Sequence, residues 1–104
     1  MRDLILLENN MKYTYFVYVM ASINNNAIYI GITYDLRKRV LQHKYKIDEN
    51  CFTAKYNCVK LVYYEKHYCA NAAIAREKKL KRWNRDWKNA LIEKSNPQWS
   101  DLFK

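Results

Sequence analysis

Glycine and proline are nearly missing from this 104-residue chain, which holds one of each, Gly31 and Pro97. Average glycine usage is roughly 7%, so the turns must be built from Asn, Asp and other substitutes. A sole glycine closing the strand-like run Tyr29-Ile30-Gly31 marks a position no side chain can occupy. Positive φ, or close approach by another backbone or a ligand, is the expected reason. Cysteine is scarce and odd in number: Cys51, Cys58 and Cys69, with no Cys-x-x-Cys. That argues against a disulfide framework or a zinc ribbon and for free thiols in a reducing compartment. His67 and Cys69 form one pair, too few donors to argue a metal site. No apolar stretch approaches the ~20 residues of a membrane span. Leu4-Ile5-Leu6-Leu7, flanked by Asp3 and Glu8, is too short for a signal-peptide core. A cytoplasmic location, with no membrane association, is expected. Acidic residues are also few, 10 against 19 Lys plus Arg, for a net charge of +9. That excess favours a polyanionic partner, nucleic acid before an anionic membrane.

What is present is a folding sequence. Half the residues are hydrophobic and 15% are aromatic, and the length suits one domain with one core. Ten tyrosines supply rings for a small core and hydroxyls for a polar cleft. Residues 1–10 read as an N-terminal extension, with Met11 an alternative start and 11–104 the single domain. Aromatic and β-branched residues predict a strand over 13–20, Asn24-Asn25-Asn26 a turn, and 27–32 a second strand. Asp35 is a candidate N-cap for a helix over 36–47, with Leu36, Val40 and Lys44 or Ile47 at helical spacing. Residues 51–57 read as a loop or short strand, and 59–66 as a third strand. Asn71 is the candidate cap of a helix over 72–84, and a last helix over 86–95 stops at Asn96-Pro97. The order β-β-α-β-α-α predicts an α+β fold, a three-stranded antiparallel-type sheet flanked by helices.

Three groups of residues suggest chemistry. Glu77 lies between Ile74 and Leu80 at helical spacing, a carboxylate on an apolar face. Burial of that charge needs a partner or a cation, and a salt bridge to one of the many basic residues is the plain alternative. Arg39 and His43 are i, i+4, pairing a phosphate-binding fork with a neutral-pH proton carrier. Beside Arg37, Lys38 and Lys44 they also fit a solvated basic helix. Tyr18 and Tyr29 lie on the two arms of the hairpin, where their hydroxyls can converge, or where they simply pair across strands.

The joint spacing is more specific than any one group. Phe16-Val17-Tyr18 and Tyr29-Ile30-Gly31 stand as two tripeptides, and the run from Tyr29 through Arg39 to His43 continues the pattern. Phe52-Thr53-Ala54-Lys55-Tyr56, Leu61-Val62-Tyr63-Tyr64-Glu65, Ala75-Arg76-Glu77-Lys78 and Asn96-Pro97-Gln98-Trp99 follow in order. Over residues 13–102 the chain resembles the GIY-YIG nucleases, in particular their small stand-alone bacterial branch. It departs from the pattern at Phe16, where that family has glycine, and keeps Tyr18.

The resemblance implies a metal-dependent endonuclease that hydrolyses phosphodiester bonds of DNA, with RNA not excluded, acting in repair or recombination. It implies one Mg²⁺ or Mn²⁺ on Glu77, and Arg39 stabilising the transition state. Tyr18, its pKa lowered by nearby positive charge, would activate water with Tyr29, and His43 would be the competing base. Gly31 would leave room for the backbone at the cleft, and Asn96 would help close the site. Glu65 is given no role beyond strand-end structure. Arg37, Lys38, Lys44, Lys55, Arg76 and Lys79 are the candidate phosphate contacts. With no second domain to read bases, specificity would come from nucleic-acid shape or a protein partner. A nucleic-acid-binding module without catalysis is the alternative reading.

Overall fold

The computed structural model describes residues 14–103, so the N-terminal extension and Met11 lie outside the described residues. Strands β1 (Tyr15–Ser22), β2 (Ile28–Thr33) and β3 (Cys58–His67) form one antiparallel sheet in the order β2-β1-β3. Around it are α1 (Leu36–Lys44), α2 (Phe52–Lys55), α3 (Ala70–Arg82) and α4 (Arg85–Ser95). The expected α+β order holds, with one extra helical turn, α2, where the sequence reads as loop or short strand. Phe52 and Thr53 are strand-forming types, but Lys55 and Tyr56 donate to Cys51 and Phe52 carbonyls, which closes a helical turn instead.

Strand alternation explains the layering. On the central strand β1, Val17, Val19 and Ala21 face one side and pack with Ile30, Val62, Ala73 of α3, Leu80 of α3 and Ile92 of α4. Tyr18 and Met20 face the other side and pack with Val40 of α1, Cys58 and Leu61. Fully burying an aliphatic side chain of this size contributes roughly 1.5–3 kcal/mol. The sheet is thus held between α3 and α4 on one face and α1 on the other. Phe16 simply extends β1, paired with Thr33 and Lys66, its ring edge-on to Tyr64.

The tight β1–β2 turn is built from asparagine, as the sequence suggests. Asn24 Oδ1 accepts from Ser22 Oγ and Asn26 N, and Asn25 adopts φ 63°. Asp35 caps α1 by accepting from Lys38 N at 3.1 Å. Three expectations are corrected. Helix α1 stops at Lys44, because Lys46 takes φ 52° and the Lys46 and Ile47 amides turn back to His43 and Gln42. Ile47 lies beyond the helix and is exposed. Asn71 is not a cap: extended Cys69 already offers its carbonyl to Ala73 N at 3.1 Å, so α3 starts at Ala70. The same helix ends early, at Arg82, where Trp83 turns extended, and Asn84 caps α4 by accepting from Trp87 N.

The segment after α4 closes the outer edge of β3. Leu102 N donates to Leu61 O, and Asp101 Oδ1 accepts from Leu61 N. Such cover protects a strand edge that would otherwise be free to pair with another chain.

Candidate active site

On the α1 face of the sheet, Tyr18 sits directly opposite Gly31 in the β1–β2 register. A Cβ on Gly31 would lie 2.5 Å from Tyr18 Oη, 2.6 Å from Tyr18 Cζ and 2.8 Å from Tyr29 Cε2. The glycine therefore makes room for the phenol of Tyr18. Its φ is not positive, so the expected conformational reason is wrong, and the approaching group is a side chain, not backbone.

Val40, fully buried, anchors α1 on this face. His43, one turn on, is carried down beside Tyr18, while Arg39 remains exposed at the rim. The three rings of Tyr18, Tyr29 and His43 form a triangle with centroids 5.6–6.3 Å apart. Tyr18 Oη lies 2.8 Å from His43 Nε2, and His43 Nδ1 lies 2.8 Å from Thr53 Oγ1. Thr53 Oγ1 is in turn 3.1 Å from Cys51 Sγ. Thr53 is 1% exposed, and α2 exists to deliver it. Sequence reasoning missed Thr53: the four-residue helix that carries it is too short for any spacing to signal it.

Burial pushes the Tyr18 phenol well above its ordinary pKa of 10, reinforced by Tyr29 and by the charge of Glu77 and opposed by Arg39. This corrects the expectation that nearby positive charge would lower it. Burial, with the neighbouring Arg39 charge, lowers His43 from 6.5 to about 4. At neutral pH both groups are uncharged. A phenol that keeps its proton donates to Nε2, which places the imidazole hydrogen on Nδ1, donating to Thr53 Oγ1. The Thr53 hydroxyl then donates to Cys51 Sγ, and that bond is the largest cause of the lowered Cys51 pKa. A continuous hydrogen-bonded chain runs from buried Tyr18 to half-buried Cys51.

This chain backs onto a cleft of about 300 Å³, lined by Tyr29, Arg39, His43, Asp48, Cys51 and Thr53 among others. Glu77 approaches from α3, near enough for its charge to act on Tyr18. It shares its face with buried Ala73 and Leu80, whereas Ile74, expected on that face, is exposed. Its carboxylate, half-buried, pairs with Lys81 Nζ at 3.1 Å one helical turn away. Among the described residues no three His, Cys, Asp or Glu side chains gather as a metal group. One half-buried carboxylate fits a hard divalent ion that keeps its waters and takes phosphate oxygens, and does not fit zinc. His67 and Cys69 do not make a metal pair here, since His67 Nε2 bonds to Glu65 and Cys69 stands exposed at the start of α3.

Other expected site residues lie apart from the cleft. Asn96 ends α4, and its side chain bonds to Val62 O, Ser100 O and Ser100 N. Lys44 is tied to Asp101 and Val59 O, and Arg76 to Glu65 and over the Trp83 ring. Glu65, left without a role by the sequence, is a hub that accepts from Tyr63, His67 and Arg76. Burial alone would raise its pKa, but these bonds outweigh that and hold it below the usual range. Arg37, Lys38, Lys55 and Lys79 are exposed.

The fold is an α+β module in which a hairpin carries Tyr18 and Tyr29, the next helix Arg39 and His43, and a later helix Glu77. Residues 14–90 match the family model of the GIY-YIG catalytic domain, and the chain belongs to the GIY-YIG family of nucleases. Its fold resembles the solution NMR structure of the UPF0213 protein BH0048 from Bacillus halodurans. The two share 19% identity at a TM-score of 0.54, over 85% of this chain and 92% of that one. No curated protein matches the chain significantly. No helix among the described residues is long and apolar enough to cross a membrane.

Proposed function

We propose that the protein is an endonuclease that hydrolyses phosphodiester bonds of DNA at the cleft beside Tyr18, using one divalent metal, Mg²⁺ or Mn²⁺. The observation that carries this reading is the Tyr18–His43–Thr53 hydrogen-bonded chain, set under Arg39 and within the field of Glu77. Glu77 would hold the metal, which supplies charge neutralisation at the phosphate. That role requires Lys81, whose side chain is half-exposed, to release the carboxylate of an i, i+4 pair.

Arg39 receives the phosphate at the rim, where its planar fork matches two oxygens and stabilises the charge that grows on them. Phosphate binding also changes the base. Part of the depression of His43 comes from the Arg39 charge, so an anion on Arg39 raises the basicity of His43 when substrate is present. The attacking water gives its proton to Tyr18 Oη as the phenolic proton moves to His43 Nε2. The resulting hydroxide attacks phosphorus, and the P–O bond to the leaving strand breaks. Thr53 Oγ1 keeps the imidazole oriented throughout. Tyr18 is thus the conduit and His43 the final acceptor, which joins the two bases that the sequence left competing. Tyr29 orients the water from the cleft wall. A role in repair or recombination, a cytoplasmic location and a protein partner that supplies specificity belong to this reading.

The test is cleavage of single-stranded, duplex, flap and branched DNA and RNA with Mg²⁺ or Mn²⁺, with EDTA and Glu77→Ala as controls. Cutting should need metal and fall by ~10³-fold or more in Glu77→Ala, as expected for loss of the metal's charge stabilisation. DNA affinity should persist, because the basic surface is intact. Full cutting by Glu77→Ala sinks the assignment. Salt-sensitive binding without cutting by the parent chain leaves a binding module.

A further inference from the structure

Three aromatic rings lead out of the cleft. Tyr29 stacks against Phe52 with planes 30° apart and centroids 6.2 Å apart, and Phe52 meets Tyr56 at 4.6 Å. Core packing does not account for the outer two rings, since Phe52 is 44% and Tyr56 53% exposed. Thr53, the neighbour of Phe52 on the same short helix, is the residue that points inward. Large rings left side by side in water mark a binding surface.

The charges around these rings say what they bind. Phe52 borders a hollow of about 260 Å³ also lined by exposed Lys81 and half-buried Lys88, whose Nζ lies 3.4 Å from Lys81 O. Tyr56 borders a second hollow, which holds Lys46 and Lys55. A flat apolar surface flanked on both sides by ammonium groups matches a nucleobase with its phosphates either side. The row begins at Tyr29, in the wall of the cleft itself, and Lys81 is the ion-pair partner of Glu77. A base inside a duplex has both faces covered by its neighbours, so away from a duplex end only an unpaired base can lie on these rings.

We propose that Phe52 and Tyr56 form a stacking subsite for an unpaired base of the strand held in the cleft. The substrate is then nucleic acid with a single-stranded segment beside the phosphate to be cut. This rests on the nuclease reading only for the identity of that phosphate. The rings act through their faces, so any base is accepted and the subsite recognises strandedness, not sequence.

The experiment reads binding, not cutting, in the full chain carrying Glu77→Ala. Fluorescence anisotropy compares labelled oligothymidylate, oligouridylate, an abasic strand with the same number of phosphates, and a blunt duplex. At least one base-bearing single strand should bind on the order of tenfold tighter than the abasic strand. Tyr56→Ala, added to Glu77→Ala, should remove most of that difference while leaving abasic and duplex affinities unchanged, and Tyr56→Trp should keep it. Phe52→Ala should act in the same direction. Tyr56 is exposed, so its variants carry the test even where Phe52→Ala fails to fold. Equal affinity for base-bearing and abasic strands overturns the subsite. So does a Tyr56→Ala loss of equal size on every probe, which would point to a protein-facing or structural patch. Base-dependent binding in a parent chain that cuts nothing keeps the subsite and rejects the nuclease, whereas cutting without base-dependent binding does the reverse.

Discussion

Thr53 has one hydroxyl and two neighbours that need it, the His43 imidazole and the Cys51 thiol. Replacing it by valine keeps the shape and removes the acceptor for Nδ1–H. The imidazolium formed during the reaction then loses a buried hydrogen bond, worth about 1.5–3 kcal/mol for a charged group. Thr53→Val should lower kcat by roughly tenfold to a hundredfold, at 1.4 kcal/mol per factor of ten, with little change in KM. It should also move the acid limb of the pH–rate profile to lower pH, because the protonated imidazole is less stable. Thr53→Ser should restore both. A pH profile unchanged in Thr53→Val would reduce Thr53 to packing. At this scale Tyr18 with Tyr29 and Arg39 with His43 were legible as pairs sharing a face, while plain cross-strand pairing and a solvated basic helix stayed open and their site roles came from the family resemblance. Thr53 was not, because its partner is ten residues away in sequence and the turn that delivers it is too short to show a period. Gly31 was half legible: the absence of a side chain pointed to crowding, but not to the phenol that causes it.

At the scale of elements, the described residues that adopt left-handed backbone are Asn25, Lys46, Asn57 and Trp99, and the one glycine is not among them. Asn25 follows from the chemistry of asparagine and was legible. Lys46 was not, since nothing in a lysine announces a helix end and the apolar spacing runs on to Ile47. The termination comes from a Schellman arrangement, in which Ile47 N reaches back to Gln42 O at 3.0 Å and Lys46 N to His43 O at 3.2 Å. Lysine in that slot carries a steric cost of roughly 1 kcal/mol that glycine does not. Lys46→Gly should therefore stabilise the fold by up to about 1 kcal/mol, less the unfolded-state entropy that glycine adds. Urea denaturation checks it: the midpoint should rise with an unchanged m-value. A fall in the midpoint would mean that the Lys46 bond to Asn57 Oδ1 outweighs the backbone strain. The start of α3 escaped the sequence for a related reason. Cys69 begins the helix with its carbonyl alone, without a capping side chain, so the better capper two residues on was the natural but wrong choice.

Over the whole molecule, a net charge of +9 says that a polyanion is favoured but not which cations meet it. The structure separates them. Lys44 and Arg76 are spent on Asp101 and Glu65 and hold the tail to α1 and α3 to β3. Arg37, Lys38, Lys55 and Lys79 are exposed. This division could not be read from composition, because it depends on which carboxylates fold next to which cations. It predicts two distinct phenotypes. Alanine at Lys38, Lys55 or Lys79 should weaken nucleic-acid binding and flatten its dependence on log salt, by up to ~0.9 in slope for each phosphate of duplex DNA no longer neutralised. The melting temperature should stay nearly constant, as surface charges away from partners contribute little to stability. Arg76→Ala should do the opposite. It leaves the half-buried Glu65 without its cation, at a cost of roughly 1–3 kcal/mol, and leaves the salt slope unchanged. Salt titrations of binding, set beside thermal melts of the same four variants, measure both quantities. A flattened slope in Arg76→Ala with no loss of stability would return that arginine to the phosphate-binding surface and leave Glu65 to Tyr63 and His67 alone.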